Sequence, residues 1–322
     1  MCRENLKCNA WISLHSVGIE AEGCLKEPSW IPVLKTSHIG YCYILLPNRS
    51  LTCVKVIANG QFGYIELGIY EVNSVKKDVY IKRPILSQNL MYEACIQKLV
   101  NESLTSVGFP LGAPPVVSIF ALADDSVCFA MEPIAGAVTL NKFLDNTTNV
   151  TGVIVECLLQ LCAMLSHIGT HLGINHRDLK PSNFLIVEHE PCMKQFTIDN
   201  ERIVVESRYT LTIIDFGFAC LGSNEGTHLS LSTVYSATDI CPKEGRDLFL
   251  FLGLLYLDYH AKLDKTLLKL FESWIDINLC AFMQKDKVYS MQWLYFMAGS
   301  DSIQKFNSQP LRIWHDLLSV TV

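Results

Sequence analysis

The stretch H-L-G-I-N-H-R-D-L-K-P-S-N-F-L-I, residues 171–186, lies between a long apolar segment and a second apolar run. Its charged and polar residues are concentrated in eight consecutive positions, from His176 to Asn183. An isolated His-Arg-Asp triplet would indicate no more than a charged loop between a helix and a strand. The complete eight-residue string is far more specific than that triplet. The remaining predictions therefore start from this loop.

The patterns around the loop divide the chain into a strand-rich first half and a helix-rich second half. β-Branched and aromatic runs predict three strands over residues 51–83, and helical spacing follows over 88–100. An extended pair is predicted within 115–131, and a long core-facing helix over 150–172. The junction at residues 132–136 is a candidate hinge, and ligand sites favour such junctions.

The composition predicts a globular protein with a large buried core, since half of the residues are apolar and 18% are charged. A net charge of −6 without a dense Lys/Arg run argues against direct nucleic-acid binding. The longest strongly apolar run, residues 248–257, is too short to span a membrane. Thirteen scattered cysteines without a C-x-x-C pair favour reduced thiols and an intracellular protein, cytoplasmic or nuclear.

Four weaker motifs surround the loop. D-F-G at 215–217 follows an apolar strand, and I-A-N-G-Q-F-G-Y-I at 57–65 lies between two predicted strands. V-Y-I-K ends at Lys82, and C-F-A-M-E-P-I contains Met131 and Glu132. Each motif is weak by itself, because turns that contain Asp and Gly are common. Their order along the chain is more informative than any one of them.

In this order the motifs resemble those of the eukaryotic protein kinase superfamily, over about residues 52–257. The resemblance implies an α+β, bilobal protein kinase-like fold, with a strand-rich N-lobe that holds one main helix and a helical C-lobe. The lobes would cover residues 52–132 and 133–322, after an N-terminal extension at 1–51. A hairpin insertion that turns at Asp199-Asn200 is expected in the C-lobe, at about 188–208.

The resemblance also implies a reaction, which is ATP-dependent phosphoryl transfer to protein serine or threonine hydroxyls with Mg²⁺. Asp178 would orient the attacking hydroxyl, and Lys180, in the serine/threonine form of the loop, would stabilise the transferring group. Asn183 and Asp215 would hold magnesium. The nucleotide would be bound by Ala58, Gly60, Gly63, Ile65, Lys82, Glu93, Met131 and Glu132. Glu93 is the expected ion-pair partner of Lys82, with Glu102, or no glutamate, as the alternative.

Several positions depart from the family pattern. Ala58 replaces the first glycine of the glycine-rich loop, Tyr80 replaces the small residue that contacts adenine, and Gln97 replaces an apolar residue. No A-P-E motif follows the activation segment, the stretch after D-F-G. In this respect the chain resembles the reduced kinases of large DNA viruses and haspin-like kinases, and a viral origin is a hypothesis.

Arg177 precedes the predicted catalytic aspartate, and in the family such an arginine suggests regulation by phosphorylation. The candidate acceptors are Thr227, Ser230, Ser232 and Thr233.

Two other functions stay open at this point. A pseudokinase would use the fold as a binding scaffold, and Ala58, Tyr80 and Gln97 favour that interpretation. A small-molecule kinase of the aminoglycoside phosphotransferase type would explain the missing A-P-E, whereas Lys180 and the D-F-G motif argue against it. The sequence leaves the substrate and the oligomeric state undetermined.

Overall fold

The computed structural model describes residues 33–34, 42–46, 49–59, 63–85, 89–122, 126–198, 201–223, 226–232, 234–235 and 239–321. The predicted extension at 1–51 therefore lies largely outside the described residues. The chain divides into two compact units. One, the strand-rich unit, comprises the described residues up to Glu102 and Ala113–Ala135, and the other, the helical unit, comprises Ser103–Gly112 and the described residues from Gly136 onward.

The strand-rich unit contains a seven-stranded sheet and one helix among its described residues. Its strands are β1 (Val33–Leu34), β2 (Cys42–Leu46), β3 (Arg49–Asn59), β4 (Gly63–Val72), β5 (Val75–Pro84), β6 (Val116–Leu122) and β7 (Val127–Met131). The order across the sheet is β1-β6-β7-β5-β4-β3-β2, with β1 parallel to β6 and the other pairs antiparallel. The helix, α1 (Met91–Ser106), begins and ends later than the spacing predicts.

Alternation along β5 explains why one face of this strand is buried in the core of the sheet. Val79 and Ile81 are buried in a core that β3, β4, β6 and β7 complete. Tyr80 and Lys82, one residue out of phase, lie on the opposite face and are half-buried. Because successive side chains of a strand point to opposite faces, the lysine is directed away from that core. The predicted strand pattern is confirmed here.

The helical unit contains six strands and seven α-helices among its described residues. The strands are β8 (Val138–Thr139), β9 (Ile174–Asn175), β10 (Phe184–Ile198), β11 (Glu201–Ile213), β12 (Cys220–Ser223) and β13 (Gly226–Ser230). The helices are α2 (Leu140–Asn146), α3 (Val150–His167), α4 (Arg246–Tyr259), α5 (Lys265–Ile275), α6 (Ile277–Met283), α7 (Lys287–Gly299) and α8 (Pro310–Thr321).

The central helix α3 begins at a cap and ends in a π-helical turn. The Asn149 side chain accepts a hydrogen bond from the Gly152 amide, which satisfies one of the free N–H groups at the helix start. The turn Ile168–Leu172 closes at Gly173 in the left-handed region, where a Cβ would lie 2.4 Å from the Gly222 carbonyl oxygen. By length and composition 150–172 is apolar enough to cross a membrane, but 67% of its apolar 18-residue window is buried, so it packs in the core of this unit.

The predicted hairpin exists, and it is longer than expected. Strands β10 and β11 pair from Phe184 opposite Ile213 to Ile198 opposite Glu201, beyond residues 188–208 in both directions. Near the turn, Phe196 is buried and stacks on Phe109 with ring centroids 4.7 Å apart. This part of the hairpin therefore packs against another segment of the helical unit.

The structure also changes the expected state of two cysteines. Cys220, at the start of β12, forms a disulfide with Cys241, and both are fully buried. The bond closes the segment that follows D-F-G into a loop across a separation of 21 residues. The spacing of the cysteines along the sequence did not predict this disulfide, because only the tertiary fold brings the two residues together.

We expect the Cys220–Cys241 disulfide to stabilise the helical unit. A cross-link over a loop of this length restricts the unfolded chain and contributes about 3 kcal/mol. The variant Cys241→Ser should therefore unfold at a lower urea concentration than the wild type under oxidising conditions. The exposed Cys192 is the matched control, and Cys192→Ser should unfold with the wild type. Equal midpoints for Cys241→Ser and Cys192→Ser would contradict this account.

Candidate active site

The Asp178 carboxylate has hydrogen-bond donors on both oxygens. Oδ2 accepts from Lys180 Nζ at 2.7 Å and from Asn183 Nδ2 at 3.0 Å. Oδ1 accepts from the Tyr295 hydroxyl at 2.6 Å. Charge-assisted bonds of this kind are short and strong, and together they fix the plane of the carboxylate. The sequence predicted three members of this group, and the structure adds Tyr295.

The backbone of the same loop is held by the buried carboxylate of Asp247, in the first turn of α4. Its Oδ1 accepts from the Arg177 amide at 2.8 Å, and its Oδ2 accepts from the His176 amide at 2.9 Å. Arg177 has a φ of 68°, a conformation that is costly for a residue with a long side chain. The two amide bonds to Asp247 stabilise the loop in this shape.

His176 connects the loop to the D-F-G segment. Its ring is fully buried, packs on Phe216 with centroids 4.9 Å apart, and contacts the Ile214 carbonyl oxygen through Nε2 at 3.0 Å. Burial lowers the pKa of His176, although nearby carboxylates act in the opposite direction. A neutral imidazole that donates from Nε2 leaves Nδ1 as an acceptor for the Asp178 amide, which lies 3.4 Å away.

The two predicted magnesium ligands lie at the same end of the β10–β11 hairpin. The Ile214 amide donates to the Asn183 carbonyl oxygen at 3.0 Å, and Asp215 is the next residue. Asp215 has a φ of 68°, so the backbone turns sharply at this carboxylate. Within the described ranges no three His, Cys, Asp or Glu side chains form a metal cluster. A pair of oxygen ligands suits Mg²⁺, which commonly takes its other ligands from phosphates and water.

In the strand-rich unit, Lys82 forms an ion pair with Glu93 of α1. Lys82 Nζ lies 2.5 Å from Glu93 Oε1, and the Glu93 side chain is 5% exposed. Glu102, the alternative partner, is exposed and lies 3.8 Å from Lys98 instead. The structure thus pairs the lysine with the glutamate that the resemblance implied.

The predicted glycine-rich loop is described in part. Ala58 pairs with Ile65 across β3 and β4, and Gly60 lies outside the described residues. Gly63 is required by packing, since a Cβ at this position would lie 2.4 Å from the carbonyl oxygen of Arg83 on β5. The close approach of a neighbouring strand therefore explains this glycine without reference to a ligand.

The polar residue Gln97 has a clear structural role. It is buried on α1, and its amide donates to the Pro114 carbonyl oxygen at 2.9 Å and to Met131 Sδ at 3.5 Å. Tyr80 lies opposite Met131 in the sheet. The Glu132 side chain is exposed, and its amide donates to the Pro115 carbonyl oxygen at 2.9 Å. Gln97 is thus a buried polar residue with hydrogen-bond partners at a position where the family usually has an apolar residue.

Arg177 has a carboxylate partner within the chain. Its guanidinium donates to Asp239 Oδ2 at 3.0 Å and to Ser230 Oγ at 2.7 Å. Burial and the nearby Arg246 lower the pKa of Arg177 to about 10, which leaves it charged at neutral pH. In this structure Asp239 supplies a negative charge beside the Arg177 guanidinium, where the resemblance suggested a phosphate. Of the proposed acceptors, Thr233 lies outside the described residues.

Asp239 is shared by three buried or nearly buried cations. Arg246 donates to its Oδ2 at 2.6 Å, and Lys243 Nζ lies 2.7 Å from its Oδ1. The guanidinium carbons of Arg177 and Arg246 lie 5.1 and 5.2 Å from the ring centroid of Tyr235, a cation–π arrangement. The Tyr235 hydroxyl donates to the Arg177 carbonyl oxygen at 3.0 Å. No motif in the sequence indicated Asp239 or Tyr235.

Comparison with known proteins agrees with this geometry. Residues 56–246 match the family model described as protein kinase domain. The match covers more than half of the chain, which therefore belongs to the protein kinase family. Among solved structures, the crystal structure of the BubR1 kinase domain is similar at 18% identity and a TM-score of 0.43, over 68% of this chain and 59% of that chain. A search of curated proteins found no match.

We expect Asp239→Asn to destabilise the helical unit strongly, because Arg177 and Arg246 would lose a buried counter-ion. Breaking a buried pair in this way costs about 3–5 kcal/mol. Asp301→Asn is the matched control, since Asp301 also pairs with Lys243 but is 85% exposed, and its loss should cost less than about 1 kcal/mol. Urea unfolding measures both. Similar losses for the two variants would show that burial does not govern this network.

Proposed function

We propose that this protein kinase transfers the γ-phosphoryl group of ATP to serine or threonine hydroxyls of proteins. The observation that carries the proposal is the arrangement of Lys180 and Asn183 on one oxygen of the Asp178 carboxylate. An ionised carboxylate, a cation and a magnesium ligand are the groups that phosphoryl transfer requires. Lys180 two positions after Asp178 is the serine/threonine form, which supports that choice of acceptor.

In the proposed reaction the hydroxyl oxygen of the acceptor forms a bond to the γ-phosphorus. The bond from the γ-phosphorus to the bridging oxygen breaks, ADP leaves, and the hydroxyl proton passes to Asp178. The Lys180 ammonium lies on this carboxylate and can stabilise the transferring charge, and its side chain is 39% exposed, so it is accessible from solvent. Magnesium held by Asn183 and Asp215 would neutralise phosphate charge.

The strand-rich unit supplies the cation for the nucleotide phosphates in this proposal. Glu93 holds Lys82 at a fixed place on the sheet, which preorganises the ammonium group. Tyr80 lies on the same face of β5 and is bulkier than the small residue usual in the family. We therefore propose that the adenine site is narrower than in typical members. Dependence on ATP also leads us to propose an intracellular site of action.

We expect Asp178→Asn to lower phosphate transfer by about 10²–10⁴-fold, because the amide cannot accept the proton from the substrate hydroxyl. Transfer of labelled phosphate to a generic protein substrate, with Mg-ATP, measures the effect. Asp258→Asn is the control, since Asp258 is a surface residue paired with Lys287, and this variant should transfer at the wild-type rate. Undiminished transfer by correctly folded Asp178→Asn would reject the assignment.

A thermal-shift titration should separate an active kinase from a pseudokinase that does not bind metal and nucleotide together. A ligand that binds only the folded state raises the unfolding temperature as its concentration rises above its Kd. We expect ATP with magnesium to raise it more than ATP with a chelator, and Asp215→Asn to abolish the difference. An identical response with and without magnesium would favour a binding scaffold.

A further inference from the structure

We propose that Tyr295 is a positioning residue for phosphoryl transfer, which holds the Asp178 carboxylate in the orientation that accepts the proton from the substrate hydroxyl. The proposal rests on the proposed function, because it assigns Asp178 its role in transfer. It concerns a residue outside the motifs of the sequence, 117 positions after Asp178. The argument depends on three observations within the helical unit.

The first observation is the division of donors between the two carboxylate oxygens. Lys180 and Asn183 both donate to Oδ2, whereas the Tyr295 hydroxyl donates to Oδ1 at 2.6 Å. Each carboxylate oxygen can accept about two hydrogen bonds. Oδ1 therefore keeps capacity for a substrate hydroxyl while Tyr295 is bound. Among the described residues, the donors to the carboxylate other than Tyr295 both lie on Oδ2.

The second observation is that Tyr295 belongs to a helix fixed at both ends. Asp286 caps the start of α7 by accepting from the Tyr289 amide at 3.0 Å. At the other end Arg246 Nε donates to the Ala298 carbonyl oxygen at 2.7 Å, and Lys243 Nζ donates to the Gly299 carbonyl oxygen at 2.6 Å. Both cations belong to the buried Asp239 network, so the position of the phenol is tied to the network that also holds Arg177.

Packing between α7 and α4 also fixes the position of the helix that carries Tyr295. Leu294 is fully buried next to Tyr295, and a Cβ on Gly253 of α4 would lie 2.5 Å from Leu294 Cδ2. Helices packed this closely cannot move freely relative to each other, because protein interiors are densely packed. The packing therefore fixes α7 against α4. If Tyr295 blocked the site and had to move away for each substrate, we would expect it to lie on a mobile loop. It lies instead on a capped and buried helix, which favours a permanent support for Asp178.

The third observation concerns the proton of the phenol. Burial, followed by the negative charge of Asp178, raises the pKa of Tyr295. The hydroxyl is therefore protonated at neutral pH and remains a donor. A donor that keeps its proton can stabilise the anionic carboxylate without competing for the proton of the substrate.

The test compares Tyr295→Phe, which removes only the hydroxyl, with Tyr289→Phe on the exposed face of the same helix. We expect Tyr295→Phe to lower kcat by about 10- to 100-fold, the effect of one lost hydrogen bond to a charged group. The KM values for ATP and for the protein substrate should stay within about twofold of the wild type. Tyr289→Phe should behave as the wild type. The unfolding temperature of each variant is measured in parallel.

A double-mutant cycle separates positioning from a general structural role. In the Asp178→Asn background Tyr295→Phe should have little further effect on the residual rate, because the two residues act as a unit. Equal losses in both backgrounds, with a matching fall in unfolding temperature, would assign Tyr295 a structural role and overturn the proposal.

Four other results would also overturn it. Faster transfer by Tyr295→Phe would identify Tyr295 as an intramolecular block, and phosphotyrosine at position 295 would identify it as an acceptor. Unchanged kcat in Tyr295→Phe, with an active wild type, would reject the positioning role and leave the proposed function intact. A wild-type protein without transfer would reject the proposed function, and the positioning role with it.

Discussion

The buried carboxylate of Asp247 is the contact on which the candidate site depends. It accepts hydrogen bonds from the amides of His176 and Arg177 and so holds a backbone turn that Arg177 would otherwise avoid. Every functional side chain of the loop projects from that turn. The cost of the left-handed conformation is met by two charge-assisted bonds in a buried environment, where such bonds are strong.

A second buried carboxylate, Asp239, organises the positive charge around the loop. Arg177 and Arg246 are fully buried, and without Asp239 both would lose their ion-pair partner. Arg246 and Lys243, which both pair with Asp239, donate to carbonyl oxygens at the end of α7, the helix from which Tyr295 contacts Asp178. The loop is thus supported through its backbone by Asp247 and through its side chains by Asp239 and Tyr295. Arg177 is neutralised here by a residue of the chain, without a phosphate.

The loop part of the candidate site could be predicted because its signals are local. Asp178, Lys180 and Asn183 lie within six consecutive positions, and D-F-G directly follows a strand. The Lys82–Glu93 pair was implied by the resemblance to protein kinases. The expected α+β kinase fold is confirmed by the family match.

The supporting contacts could not be predicted from the sequence. Arg177 and Asp239 are 62 positions apart, Asp178 and Tyr295 are 117 apart, and no spacing rule connects them. The disulfide and the packing of Phe196 on Phe109 are likewise consequences of the tertiary fold. Transfer of labelled phosphate from ATP by the wild-type protein, with phosphoamino-acid analysis of the substrate, tests the central claim most directly. The account predicts phosphoserine or phosphothreonine, and a protein that binds Mg-ATP but labels neither residue would contradict it.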